Sequence, residues 1–274
     1  MESKNTQEDQ ILYLIESSIK KGNTGLLKFV STLLSNLKKI IPIENLKDLV
    51  KTRLSKKNIY FVRHAESLHN VLESKYKYED IDKWNVRDPK LTEKGVEQTN
   101  NYTIKKLQEK KIKFGAVFVS PLSRTIQTYI LLKKALNDDA EIIITDLAKE
   151  VVHYSLDKNK GKTLSELKEE YKNEKLNFSY MTKEYWWYDS GIDEKKGVEG
   201  KRMFSLRLNL FALWLAFRKE ENILIISHSH VYINMQDSFG IKNADIAQMN
   251  NNMLFDRIEY LLDVYDEGIY DDYS

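Results

Sequence analysis

Residues 58–70 read NIYFVRHAESLHN, and the reading of this stretch decides the fold. Ile59, Tyr60, Phe61 and Val62 are β-branched or aromatic with no polar alternation. A short apolar run of this kind is what a strand covered on both faces requires, as in a parallel sheet with helices on either side. The run ends directly in Arg63 and His64.

Outward from that strand the same unit recurs. Residues 92–111 read as a helix and 116–119 as a second strand, after which Pro121 opens a further helix at a first-turn position that suits proline. Residues 141–145 read as a third strand, 203–217 as a strongly apolar helix, and 223–226 as a fourth strand running into Ser227 and His228. Strands alternating with helices predict an α/β three-layer sandwich: a mostly parallel central sheet with helices on both faces. Residues 149–196 break the alternation, carry Trp186 and Trp187, and read as a cap-like insertion over the site.

This divides the chain into a helical N-terminal extension (1–56), the α/β domain (57–258) and an acidic C-terminal tail (259–274). In the extension, Leu26, Leu27, Val30, Leu33, Leu34, Leu37 and Ile41 recur at helical spacing. Pro42 stops that helix, and 44–54 form another. These helices carry no chemistry; they are expected to cover the α/β domain or to mediate association with a second copy or a partner. A basic amphipathic helix resting on a membrane is the alternative. The tail, with Asp263, Asp266, Glu267, Asp271 and Asp272, is expected to be solvated and partly disordered.

Composition narrows the function classes. A formal net charge of +2 over 274 residues gives no basic excess for nucleic acid, and no obligate membrane partner is expected. With no cysteine, disulfides, thiolate metal sites and a cysteine nucleophile are excluded together. No secretory leader or bilayer-length apolar run is present, so a cytoplasmic protein is expected.

In open parallel sheets, ligands bind beyond the carboxyl ends of the strands. Here the first strand delivers Arg63 and His64, the second Ser120 with Arg124 just beyond, and the fourth His228. That combination suits phosphoryl chemistry. A phosphoryl group spreads charge over three oxygens, and arginine's planar fork meets them two at a time. A neutral imidazole can attack phosphorus to give a phosphohistidine that water or a second hydroxyl resolves. With two arginines supplying positive charge, neither a metal nor a cofactor is expected. The leaving oxygen still needs a proton, so a carboxylic acid should lie nearby. Ser120 lacks the Gly-x-Ser-x-Gly turn of a hydrolase nucleophile.

The residues also resemble a known family. FVRHAESLHN (61–70) resembles the Arg-His-Gly motif of the histidine phosphatase superfamily, also called phosphoglycerate-mutase-like, with Ala65 in place of the glycine. DPKLTEKGVEQ (88–98) resembles its Leu-Thr-x-x-Gly-x-x-Gln helix start, VSPLSRTIQT (119–128) its Ser-Pro-x-x-Arg-x-x-x-Thr motif, and LIISHSH (224–230) the segment of its second histidine. The resemblance implies that His64 is the phosphorylated nucleophile. It makes Arg63, Arg124 and His228 the phosphate pocket and Asn70 a further donor to the same oxygens. It also implies a glutamate donor beyond the third strand, for which DLAKEVVHYSLDK (146–158) offers Glu150, with Asp157 and Asp146 as fallbacks.

The stretch DKNKGKTLSELKEEY (157–171), Phe178 and the tryptophan pair are similar to plant and fungal mutase-like phosphatases. Hydrolysis of small phosphomonoesters is therefore the first expectation. Phosphoglycerate mutase activity is the second, and a scaffold that keeps the pocket without the reaction is the third. His230 reads first as a hydrogen-bonded packing histidine, with contact to the leaving group as the alternative, and the same two readings apply to His153. Lys158, Lys160 and Lys162 are candidates for a second anionic group of the substrate. Tyr185, Trp186, Trp187 and Tyr188 read as the small core of the insertion.

Overall fold

The computed structural model describes residues 6–22, 25–152, 156–187, 192–193 and 198–266. At its centre lie strands β1 (Asn58–Arg63), β2 (Ala116–Val119), β3 (Glu141–Ile144), β4 (Asn222–Ser227) and β5 (Ile246–Gln248). Their order is β3-β2-β4-β1-β5; the first four run parallel, and β5 pairs antiparallel with β1 at the edge. The predicted three-layer α/β architecture is present, and β5 is an addition to it. With only three residues, β5 has too little pattern to be read alone.

Successive side chains of a strand face opposite sides of the sheet. Ile59, Phe61, Phe118, Ile223 and Ile225 enter one buried cluster, while Tyr60, Val62, Val117, Val119, Leu224 and Ile226 enter the other. Both faces are covered, which is why these strands show no polar alternation.

The first cluster is closed by α1 (Gln7–Lys21), α2 (Leu26–Lys38), α3 (Ile43–Ser55), α9 (Lys201–Phe217) and α11 (Asn251–Asp266). The second is closed by α6 (Ile104–Lys110), which follows α5 (Glu93–Gln98) and the π-helical turn Thr99–Thr103, by α7 (Ser123–Leu132) and by the insertion with α8 (Leu164–Glu170). Two further helices, α4 (Leu68–Lys75) and α10 (Ser229–Gln236), follow β1 and β4.

Helix α9 explains the N-terminal extension. Every residue from Leu206 to Phe217 is buried, so the helix is apolar all round and needs a second cover on its outer side. Leu33, Leu34 and Leu37 of α2, Ile11 and Ile15 of α1, and Leu46 and Val50 of α3 join the same cluster and are inaccessible to solvent. Truncating any one of these leucines should cost about 2–5 kcal/mol. Arg53 of α3 donates to the carbonyls of Ala216, Phe217 and Arg218, neutralising the orphan acceptors at the C-terminus of α9.

Three boundaries differ from the sequence reading. The acidic tail does not begin at 259: α11 runs through to Asp266, with Leu261 and Leu262 buried and Asp263 and Asp266 paired to Lys47 and Lys38. The four apolar residues facing the core were obscured by the charges between them. Glu267, Asp271 and Asp272 lie outside the described residues. Pro121 precedes the helix instead of opening it, since α7 starts at Ser123 after Leu122. The helix expected over 92–111 is interrupted by the π turn and closes at Lys111 in a left-handed conformation, φ 51°.

Candidate active site

Strand register assembles the site. Arg63 of β1 is level with Ser227 of β4, so His64 and His228 leave adjacent strand ends and their rings lie 5.2 Å apart. The amide of His64 donates to the Ser227 carbonyl at 2.9 Å. On the other side of β4, Val119 of β2 is level with Ile226, which brings the Ser120 hydroxyl to 2.8 Å from His228 Nε2. Arg124 sits in the first turn of α7, whose start is held by the Asp88 carboxylate accepting from Ser123 N (2.9 Å) and Oγ (2.7 Å). Ser120 is thus a support for His228, in keeping with its exclusion as a nucleophile.

The remaining motif residues hold the loop that carries His64. Ala65 N donates to Thr128 Oγ1 (3.1 Å), and Glu66 N to Gln98 Oε1 (3.0 Å). The Glu66 carbonyl accepts from Thr92 N (3.0 Å) and lies against Gly95, where a Cβ would come within 2.1 Å of it. Only glycine lets α5 approach so closely. From the far side, Asn243 Nδ2 donates to the His64 carbonyl (3.0 Å).

Hydrogen bonding selects the tautomer of His64. Nδ1 lies 2.8 Å from the Ala65 carbonyl, which can only accept, so Nδ1 carries the proton. Nε2 therefore presents a lone pair, 3.3 Å from the Nε–H of Arg124. Burial, then the charges of Arg124 and Arg63, hold the His64 imidazole well below its ordinary value, so it is neutral near pH 7. His228 is held down in the same way by burial, Arg124 and His64. Burial also pushes Arg124 down to about 10, which leaves it cationic.

Arg63, His64, Asn70, Arg124 and Glu150 line one cavity, together with His69, Glu73, Leu156, Lys158, Asn159, Ser229 and His230. His228 is fully buried beside His64 and is not among the lining residues. Its Nδ1 and the Nε of Arg63 are buried without a hydrogen-bond partner among the described residues. Buried polar atoms are normally paired, so the Nε–H of Arg63 calls for an acceptor, as does His228 Nδ1 in the tautomer in which Nε2 accepts from Ser120. Asn70 Oδ1 accepts from Ser67 and Asn243.

Of the three candidate acids, only Glu150 reaches the cavity. Asp157 is paired to Lys160 at 2.7 Å, and Asp146 borders a different cleft beneath α1 and α2. Burial alone would raise the Glu150 carboxyl. His230, whose Nδ1 lies 3.2 Å from Oε2, the Val151 amide and Arg124 outweigh burial and hold it below the usual value. Of the two readings of His230, core packing does not fit: its side chain is 62% exposed and borders the cavity. His153 and Tyr188 lie outside the described residues.

The insertion forms one wall. The Lys158 carbonyl and Asn159 Oδ1 accept from the two terminal nitrogens of Arg124 (2.9 and 2.8 Å). Lys158 alone of the three lysines lines the cavity, its ammonium paired with Glu73, while Lys160 and Lys162 pair with Asp157 and Glu170. Trp186 and Trp187 are buried in edge-to-face contact, and Trp186 Nε1 donates to the Lys162 carbonyl, so they do form the core of the insertion. Among the described residues no group of three or more His, Asp or Glu has metal-holding geometry, and no helix is long and apolar enough to cross a membrane.

The family model for the histidine phosphatase superfamily (branch 1) matches residues 59–251, spanning β1 to the start of α11 and every residue of the site. The chain belongs to the histidine phosphatase superfamily. Solved structures similar to this histidine phosphatase superfamily member include the alpha-ribazole phosphatase from Shigella flexneri, at 20% identity over 70% of this chain and 90% of that one, with a TM-score of 0.46. The ecdysone phosphate phosphatase from Bombix mori, in complex with tungstate, is 13% identical over 71% and 89%, TM-score 0.48. Phosphoglycerate mutase from Thermus thermophilus is 16% identical over 70% and 91%, TM-score 0.41. No curated protein matches this superfamily member.

Several cavity residues escaped the sequence reading. His69 is buried with its ring 5.9 Å from that of His64, and Ser67 Oγ lies 2.8 Å from its Nδ1. Its position inside the first motif was the available signal. Glu73, Asn159 and Ser229 also line the cavity without having been singled out, although Ser229 lies inside the LIISHSH segment; Asn243, which supports the His64 carbonyl from outside the cavity, is brought in by long-range packing.

Proposed function

We propose that the protein hydrolyses small phosphomonoesters without a metal, through a phosphohistidine on His64. The observation that carries this reading is the neutral His64 with its Nε2 lone pair held between Arg63, Arg124 and His228. Arg124 and Arg63 supply the positive charge that phosphoryl oxygens need in the transition state, in a buried setting where such charges act strongly. The unpaired Nε of Arg63 and a proton on His228 Nδ1 offer those oxygens two further donors.

In the first half-reaction the Nε2–P bond forms, the P–O ester bond breaks, and the leaving oxygen takes a proton at Glu150. In the second, water adds to phosphorus and the N–P bond breaks, returning neutral His64 and releasing phosphate. Solvent access favours water as the acceptor, since His230 at the cavity edge is mostly exposed.

The test is phosphate release from a panel of phosphomonoesters, including 3-phosphoglycerate, with chelator present and His64→Ala alongside. Release by the wild type, at least ~10³-fold slower in the variant, is the expected result. Conversion of 3- to 2-phosphoglycerate primed by bisphosphoglycerate, without phosphate release, would replace hydrolysis by transfer. Binding of phosphate with neither reaction would leave a scaffold.

A further inference from the structure

Glu150 presents a chemical difficulty. A general acid must hold a proton when the ester bond breaks, yet both of its oxygens face donors: Oε1 the Val151 amide at 2.9 Å and Oε2 the His230 ring at 3.2 Å. These contacts stabilise the carboxylate, the form that has nothing to give. The imidazole that stabilises it lies in the first turn of α10, two residues after His228, at the cavity edge. A helix N-terminus disfavours a cation, so an imidazolium at this position depends on the carboxylate opposite. The contact with Glu150 does raise the His230 ring above its ordinary value, against the effects of burial, Lys158 and Arg63. Arg124 and Arg63 are further charged neighbours of Glu150.

Resting on the phosphatase reading above, we propose that His230 is the proton store for Glu150. It acts as a positioning residue that passes a proton through the Nδ1–Oε2 hydrogen bond as the ester breaks, and takes one back when water resolves the phosphohistidine. The protons balance over the cycle. As the P–O bond breaks, its electron pair stays on the leaving oxygen, which takes a proton from Glu150. That proton reaches the carboxylate from Nδ1 of the imidazolium, so the step leaves Glu150 ionised and His230 neutral. In the second half-reaction water gives its oxygen to phosphorus and a proton to Glu150 and so to His230, while the N–P pair returns to His64. Ester and water become alcohol and phosphate, and the imidazolium is restored with no outside acid.

The experiment compares two esters whose leaving groups differ in their need for a proton: 4-nitrophenyl phosphate, which does not need one, and glycerol phosphate, which does. His230→Gln keeps a donor to Glu150 but cannot carry the proton. It should lower kcat for the alkyl ester ~10-fold or more and for the aryl ester less than ~3-fold, with little change in KM. Added imidazole should restore part of the alkyl-ester kcat to His230→Ala. Glu150→Gln should show the same split, and the double variant should be no slower than Glu150→Gln alone, because the two groups act in one path. Equal losses on both esters, or additive losses in the double variant, would overturn the proton store and leave the phosphatase reading standing. No turnover of either ester by the wild type would overturn both.

Discussion

Arg207 and Glu199 form a two-pronged ion pair in the interior, Nε to Oε1 and Nη2 to Oε2 both at 2.8 Å, with each side chain almost wholly buried. The remaining guanidinium nitrogen of Arg207 donates to the carbonyls of Leu147 (2.7 Å) and Lys149 (3.0 Å). The pair therefore ties α9 and the end of the insertion to the turn that presents Glu150. Ser227 Oγ holds the same turn from the end of β4, through the Ala148 carbonyl at 2.6 Å.

Removing one half of this pair strands the other charge in the core. Arg207→Met should cost about 3–5 kcal/mol, whereas replacing both partners by apolar residues should cost much less. Urea unfolding of the single and double variants checks this. A double variant as unstable as the single one would show that the carbonyl contacts, and not the ion pair, dominate.

Arg124 reaches His64, Lys158 and Asn159 at once, and only a fork can do so. Arg124→Lys keeps the charge but loses the shape. It should lower kcat/KM by about 10²–10³-fold, the usual cost of losing a transition-state donor. Saturating orthophosphate should raise the melting temperature of the wild type, with about 2.7 kcal/mol of stabilisation at a hundred times Kd, and should do so far less in the variant. An equal thermal shift in both would place the anion elsewhere.

Three buried histidines make the fold sensitive to acid. His64, His69 and His228 all bind protons more weakly folded than unfolded, chiefly because burial penalises the charged ring. Below the unfolded value of 6.5 the unfolded chain takes up protons that the native chain does not. Stability should therefore fall as pH drops from about 7 to 5, by up to about 1.4 kcal/mol per unit for each ring. His230 has the opposite sign: its contribution is fully present below 6.5 and is lost as pH rises through its elevated value, so it opposes the three rings only between those two values. Urea midpoints at pH 5.5 and 7.5 decide the matter; an equal or higher midpoint at pH 5.5 would contradict it.

Gly95 is a second sensitive point. An added methyl would press on the Glu66 carbonyl, two residues from His64. Gly95→Ala should cost about 1–3 kcal/mol by overpacking. It should also lower kcat/KM by ~10-fold or more by displacing His64. Unchanged kinetics in a folded variant would show that the loop absorbs the shift.

Much of this was legible because the site is built at strand ends. Each of Arg63, His64, Ser120 and His228 follows a run whose burial on both faces leaves an unmistakable apolar block, and Arg124 lies four residues beyond Ser120. The N-terminal stripe of Leu33, Leu34 and Leu37 was legible for the same reason: one face of a helix repeats locally. Helix α1 was missed although Ile11, Ile15 and Ile19 repeat at four-residue spacing, because the polar residues between them dilute the pattern.

What the sequence determined by itself was therefore the class of fold, the order of its strands along the chain and the grouping of Arg63, His64 and Arg124 at strand ends, all of which rest on periodicities and motifs a few residues long. The tertiary structure decided what depends on distant segments meeting. It paired β5 with β1, extended α11 to Asp266 against α3, brought Glu150 but not Asp157 or Asp146 to the wall of the cavity, and set His230 against Glu150 across 80 positions of sequence. Contacts of that kind are set by packing and strand register, which no local pattern encodes.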